Sequence, residues 1–308
     1  MTLHQAGHRI QTPTTHVHLR RSGWLVGQTV PKFEDSEYRS IQEYRQAIDA
    51  FHGFCTLVLL AFAKHDCDTR DTIVRNFIAR TDMMVRGVLR LWDIADFQDC
   101  WILYRCLTDR LFHLVHLGKT GEYKLFDDWS FCEQFKALDR IRSDPECRGA
   151  LDSQFFTPSP REKLRFARLS KRRPKWERPK PDVVAKQMDM SFIYKHGYEF
   201  GSMNVHPMAN DGQEDFFSVT KTDPHPDFPD QRAVVNNSLL IGCMVVQEAL
   251  NRSSFRWRKV AYDFLDHLIA HIRDGRPDYL ATFGEITRIA YAMDLCEPGD
   301  RVGGGGAA

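Results

Sequence analysis

Apolar residues recur at three- and four-residue intervals along most of the chain, the spacing of one helix face. Ile41, Tyr44, Ile48, Phe51, Cys55, Val58, Leu59 and Phe62 predict an amphipathic helix over about 36–64, with Asp35 and Ser36 as suitable N-cap types. A second is expected over about 68–92, with Ile73, Phe77, Ile78, Met84, Val88 and Leu91 inward and Arg70, Arg75, Arg80, Arg86 and Arg90 mostly outward. The third, about 96–117, carries Phe97, Trp101, Ile102, Leu103, Leu107, Leu111, Phe112, Leu114, Val115 and Leu117 and has almost no polar face, which makes it the expected central helix. A Gly-Glu-Tyr turn then leads to a helix over about 128–142. The spans 233–250, 257–272 and 279–293 read as three closing helices. No internal repeat, glycine-rich phosphate loop or useful strand alternation appears, so the expected fold is all-α: one multi-helix bundle-like domain over 36–296.

Three stretches break the pattern. Residues 1–35 hold His4, His8, His16 and His18 without a sustained period and read as a polar arm; His16 and His18 lack companion metal ligands. Residues 161–180 carry ten basic and two acidic side chains with Phe166 and Trp176 interleaved, a composition suited either to RNA phosphates and bases or to a solvated arm. The stretch 207–231 is acidic, with Asp211, Glu214, Asp215, Asp223, Asp227 and Asp230 against Lys221, and contains four prolines. Such a long connection is expected to be functional or disordered, acting as a lid or pairing with the basic run. Residues 297–308 end in a glycine-rich tail.

Composition narrows the classes further. With 308 residues, 43% hydrophobic, the chain can bury a sizeable core, and a formal net charge of +1 leaves any nucleic-acid role to local patches. The eight cysteines form no Cys-x-x-Cys pair or zinc spacing and read as reduced thiols, which points to the cytoplasm. No cofactor or metal is expected, and neither a signal-peptide core nor a long uninterrupted apolar run suggests a membrane. A protein partner or a second copy of the chain is compatible with this composition.

Chemistry concentrates at two places. Tyr198, Ser202 and His206 recur every four residues in a segment ending His-Pro, which makes a polar stripe on a helix. Pro207 is expected to leave His206 as the last helical residue or the first beyond it, where a helix C-terminus favours a charged imidazole. Arg105 and Asp109 share one face of the apolar third helix, where a buried arginine requires acceptors. Arg105, Asp109, Tyr198, Ser202 and His206 are therefore expected to converge.

These residues also carry a resemblance. The segment from Tyr104 to Asp109, Trp176 ahead of a short helix, and the Tyr198, Ser202, His206 stripe resemble the motifs of a bacterial helical family known only as a domain of unknown function, over about 95–210. Asp109 stands where that family usually has glutamate, and Gly197 and Gly201 weaken the motif helix by around 1 kcal/mol each, or else let another helix approach closely. The family is distantly similar to helical ribonucleases of toxin and phage-defence systems, in which an arginine precedes a histidine by a few residues. Arg110 with His116 is the local match; Arg105 with His206, joined by folding, is the better pair.

Two functions follow. The first is a non-catalytic helical binding or interaction module in which the five polar groups fix helix packing. The other is a metal-independent ribonuclease or related phosphoryl-transfer enzyme, with His206 exchanging protons and Arg105 stabilising charge on phosphorus.

Overall fold

The structure is a computed structural model, describing residues 38–64, 66–146, 157–206, 212–220 and 231–292. All of these belong to the unit Tyr38–Ala308. Every regular element among the described residues is helical. The expectations for 1–35, for 297–308 and for most of the acidic stretch lie outside the described residues.

Helix α1 (Ile41–Ala63) starts at Ser40, whose side chain accepts from the Glu43 amide while the Glu43 carboxylate accepts from the Ser40 amide. This reciprocal cap satisfies two orphan donors, and it moves the start from the expected Ser36. Helix α2 (Thr69–Asp93) is capped by Asp68, and α3 (Phe97–Thr120) by Asp96, with Gly121 in the left-handed conformation closing α3. Helix α4 (Tyr123–Ser143) begins earlier than its own apolar pattern indicates, because Tyr123, Phe126 and Trp129 pack into a satellite cluster around Trp176. Helices α5 (Pro160–Arg172) and α6 (Pro181–Gln187) follow. A helical stretch then runs through α7 (Ser191–Ile193), a π-helical turn (Tyr194–Tyr198) and α8 (Glu199–Met203). Gln213–Thr220 forms α9, so the acidic stretch is not uniformly irregular. Helices α10 (Arg232–Arg252), α11 (Arg258–Asp274) and α12 (Asp278–Ala292) close the chain.

Helix α3 is central, as its apolar pattern implies, packing against α2, α10 and α8. Phe112 is fully buried and Trp101 half-buried. Helix α10 shares the centre: Val234, Leu239, Cys243, Val246 and Leu250 are buried, and it meets α1, α2, α3 and α11. Helices α1 and α10 are long and apolar enough to cross a membrane by length and composition, but more than half of each such stretch is buried in the fold. Buried Asp71 on α2 accepts from the amide (3.0 Å) and hydroxyl of Ser254, tying α2 to the α10–α11 connection.

The basic run, expected as a solvated arm, is a helix over its first half, and all its basic side chains except Arg165 are exposed. Ser159 and Glu162 form a capping box with Pro160 in the first turn, and Leu169 and Trp176 are buried. Arg165 pairs with Asp127 and Asp128 of α4 at 2.7 and 3.1 Å. The expected pairing with the acidic stretch falls on residues or side chains outside the description.

Candidate functional site

The site forms where α3 crosses the stretch 191–203, and two glycines decide how closely. A Cβ at Gly197 would stand 2.5 Å from Tyr104 Cε1, and one at Gly201 would stand 2.6 Å from the Trp101 carbonyl oxygen. Both contacts are below van der Waals separation, so glycine lets the Tyr104 ring come this near at 197 and the α3 backbone at 201. The close-approach alternative for these glycines is the one found. Trp101 then wedges edge-on against Phe200, with ring centroids 5.1 Å apart. The π-turn adds one residue to the preceding turn and re-aims the residues after it; Tyr194 and Tyr198 stack across it at 5.5 Å.

Tyr198 and Ser202 of this stretch meet Arg105 of α3. Arg105 Nε donates to Ser202 Oγ at 2.7 Å, and Nη2 donates to the Tyr198 hydroxyl at 3.2 Å. Ser202 Oγ in turn donates to the Tyr198 carbonyl at 2.8 Å, so its one proton is committed and a lone pair receives the arginine. The guanidinium carbon lies 4.9 Å from the Tyr198 ring centroid. Asp109 Oδ2 stands 3.6 Å from Arg105 Nη1, with side chains 28% and 26% exposed, so this pair is partly screened by water. Burial, with the Asp109 charge beside it, pushes the Tyr198 hydroxyl up to about 12, which keeps it a neutral donor and acceptor.

Four of the five expected residues therefore converge. His206 does not join them. Helix α8 ends at Met203 with Asn204 closing it, and His206 lies in an exposed bend beyond. Pro207 disfavours helix at the preceding residue, and the helix stops short of the site assigned to the histidine. The local match of Arg110 with His116 is not assembled: six residues put them on faces about 120° apart. Arg110 Nη1 donates to the Cys106 carbonyl, while His116 packs on Trp176.

The structure adds residues that the apolar reading of α3 concealed. Arg105, Asp109, His113 and His116 fall within roughly 80° of arc, so α3 has one polar stripe after all. His113 Nδ1 lies 2.7 Å from the Asp109 carbonyl oxygen. A carbonyl only accepts, so Nδ1 carries the proton and Nε2 the lone pair. Burial holds this imidazole below its usual value, and it is neutral near pH 7. Its ring packs 5.6 Å from Trp176, which also contacts Phe126 at 4.6 Å and Trp129 at 5.3 Å. Trp176 stands ahead of the short α6, and its indole Nε1 is buried without a hydrogen-bond partner among the described residues. The Arg-x3-Asp-x3-His-x2-His spacing was legible but outnumbered by the surrounding leucines.

Among the described residues no group of three or more histidine, cysteine or acidic side chains could hold a metal ion. His16 and His18 lie outside them. The six described cysteines are free. What the arrangement can do is hold a guanidinium rigidly at a helix crossing, about two helical turns along α3 from a neutral imidazole packed on an aromatic cluster.

Residues 71–223 match a family of unknown function (DUF5677), a span that includes both halves of the network and Trp176. No curated protein and no solved structure matches the chain.

Proposed function

We propose that this protein is a non-catalytic helical binding module, in which the Arg105 network fixes α3 against α8 and shapes the surface beside it. One observation carries the reading: the Arg105 guanidinium is engaged by Ser202, Tyr198 and Asp109, while His206 is exposed beyond the helix end. An arginine engaged this way locks packing, since removing it strands Tyr198 and Asp109. The free cysteines support a cytoplasmic setting.

A second reading, a metal-independent ribonuclease or phosphoryl-transfer enzyme, has its own support. The Arg105 side chain remains 26% exposed, and His113 offers an unprotonated Nε2 on the same face of α3. There Arg105 would stabilise charge on phosphorus, and His113, or His206 carried in from its exposed bend, would exchange protons.

The test is incubation of purified protein with mixed RNA beside Arg105→Ala and His206→Ala, with melting temperatures measured on all three. The module reading expects no cleavage by any of them, a lowered melting temperature for Arg105→Ala and none for His206→Ala. Cleavage abolished in either variant without a change in melting temperature overturns it in favour of the enzyme.

A further inference from the structure

We propose that the outward face of α5 and the segment 173–180 after it dock the phosphodiester backbone of single-stranded nucleic acid. This names a partner for the binding module above and rests on that reading. Arg161, Arg168 and Arg172 follow one another at spacings of seven and four, and all three are exposed. On a helix they lie within about 40° of arc, as one ridge roughly 16 Å long. Of the ten basic residues in 161–180, only Arg165 forms an ion pair among the described residues, and the other nine are exposed.

Arg165 explains why the rest can stay free. Its guanidinium bonds Asp127 and Asp128 and lies 4.3 Å from the Phe131 ring centroid, holding α5 on α4. Phe166 stacks on Phe135 at 4.1 Å and 12°, and Leu169 is buried below them. The capping box at Ser159 and Glu162 stiffens the start. The ridge thus stands on a helix already held in place, so little backbone entropy is lost when a repeating anion lies along its guanidinium forks.

The same packing selects among polyanions. A basic amphipathic helix binds an anionic membrane by inserting its apolar face, but Phe166 and Leu169 are spent on α4, and Leu164 is the one large apolar side chain of α5 left exposed among the described residues. Beyond the ridge, Arg178 lies 5.6 Å from the Trp129 ring centroid. Trp129 is only partly buried, and it joins Trp176, which joins His113 of the α3 stripe. A base can replace the Arg178 guanidinium over Trp129, the usual partnership of phosphate-binding cations with an aromatic platform in single-strand binding.

The experiment measures binding of a fluorescent oligouridylate of about 20 nucleotides to the full chain by anisotropy, between roughly 50 and 200 mM salt. At about 0.7 per phosphate, three to five contacts give a log–log slope of about −2 to −3.5. The triple variant Arg161→Ala/Arg168→Ala/Arg172→Ala is expected to flatten the slope by about 2 and to weaken binding about tenfold or more. Its melting temperature is expected to stay near wild type, because the three side chains are exposed. Lys171→Glu/Lys175→Glu is a second route to the same loss. An oligodeoxynucleotide of equal length is expected to bind comparably, since phosphate is the group recognised. No binding at low salt, a salt-insensitive affinity, an unchanged triple variant, or binding to phosphatidylserine vesicles in place of the oligonucleotides would each overturn the proposal. Such a failure leaves the Arg105 network untouched, because that reading is judged by cleavage and melting of different variants.

Discussion

Gly201→Ala sets helix propensity against tertiary contact, and the geometry says which wins. Glycine within a helix is less favourable than alanine by about 1 kcal/mol, so propensity alone predicts stabilisation. An alanine Cβ at 201 would stand 2.6 Å from the Trp101 carbonyl oxygen and 2.8 Å from Arg105 Cβ. The first of these is backbone in the second turn of the central helix and cannot swing aside. Overpacking of this kind costs about 1–3 kcal/mol, and a backbone obstacle places it in the upper part of that range. The net expectation is a loss of about 1–2 kcal/mol, or roughly 2–4 °C in melting temperature for a chain of this size. Displacement of α8 also lengthens the bond from Arg105 to Ser202. Gly284→Ala on α12 is the control, because nothing lies within 4 Å of the added Cβ; it is expected to stabilise by about 0.5–1 kcal/mol. Thermal unfolding of both variants at one pH is the assay. A Gly201→Ala protein as stable as wild type, or one that shifts in the same direction as Gly284→Ala, would refute the close-approach argument.

Three further outcomes are expected. Folding lowers the proton affinity of His113 below its ordinary value of 6.5, through burial, and that of His271 likewise. The unfolded chain then binds more protons, so stability is full above about 6.5 and declines as pH falls through it towards the folded values; His113→Gln should flatten part of the decline in melts between pH 7 and 5. Asp71→Ala leaves the Ser254 amide and hydroxyl without their buried acceptor, a loss of about 2–4 kcal/mol readable as an earlier urea midpoint at unchanged slope. Arg105→Lys keeps the charge but not the Nε donor to Ser202, so it should recover less than half of the stability lost in Arg105→Ala, a loss of about 1.5–3 kcal/mol.

What the sequence determined by itself was chiefly where helices run. The spans expected at 233–250, 257–272 and 279–293 end within two residues of Arg232–Arg252, Arg258–Asp274 and Asp278–Ala292. Such boundaries depend on groups a few residues apart: a cap, a glycine, the last apolar position of a face. The Ser40 and Ser159 capping boxes are equally local and were there to be read, although the expected start at Ser36 and the expected arm at 161–180 passed over them. Convergence of Arg105 with Tyr198 and Ser202 could be argued in advance because polar groups on apolar helices need partners.

Only the tertiary structure decided which faces meet. It set α10 beside α3 at the centre, drew the start of α4 back to Tyr123 through contacts around Trp176, and revealed that Gly197 and Gly201 admit α3. It also excluded His206 from the network and placed His113 about two turns further along the polar stripe of α3. Helix starts and stops answer to bonds spanning about four residues, whereas Arg105 and Ser202 are joined by a contact across 97 positions. A periodicity states that a face is apolar or polar; the backbone separation at a crossing, fixed by the side chains present there, states what that face touches.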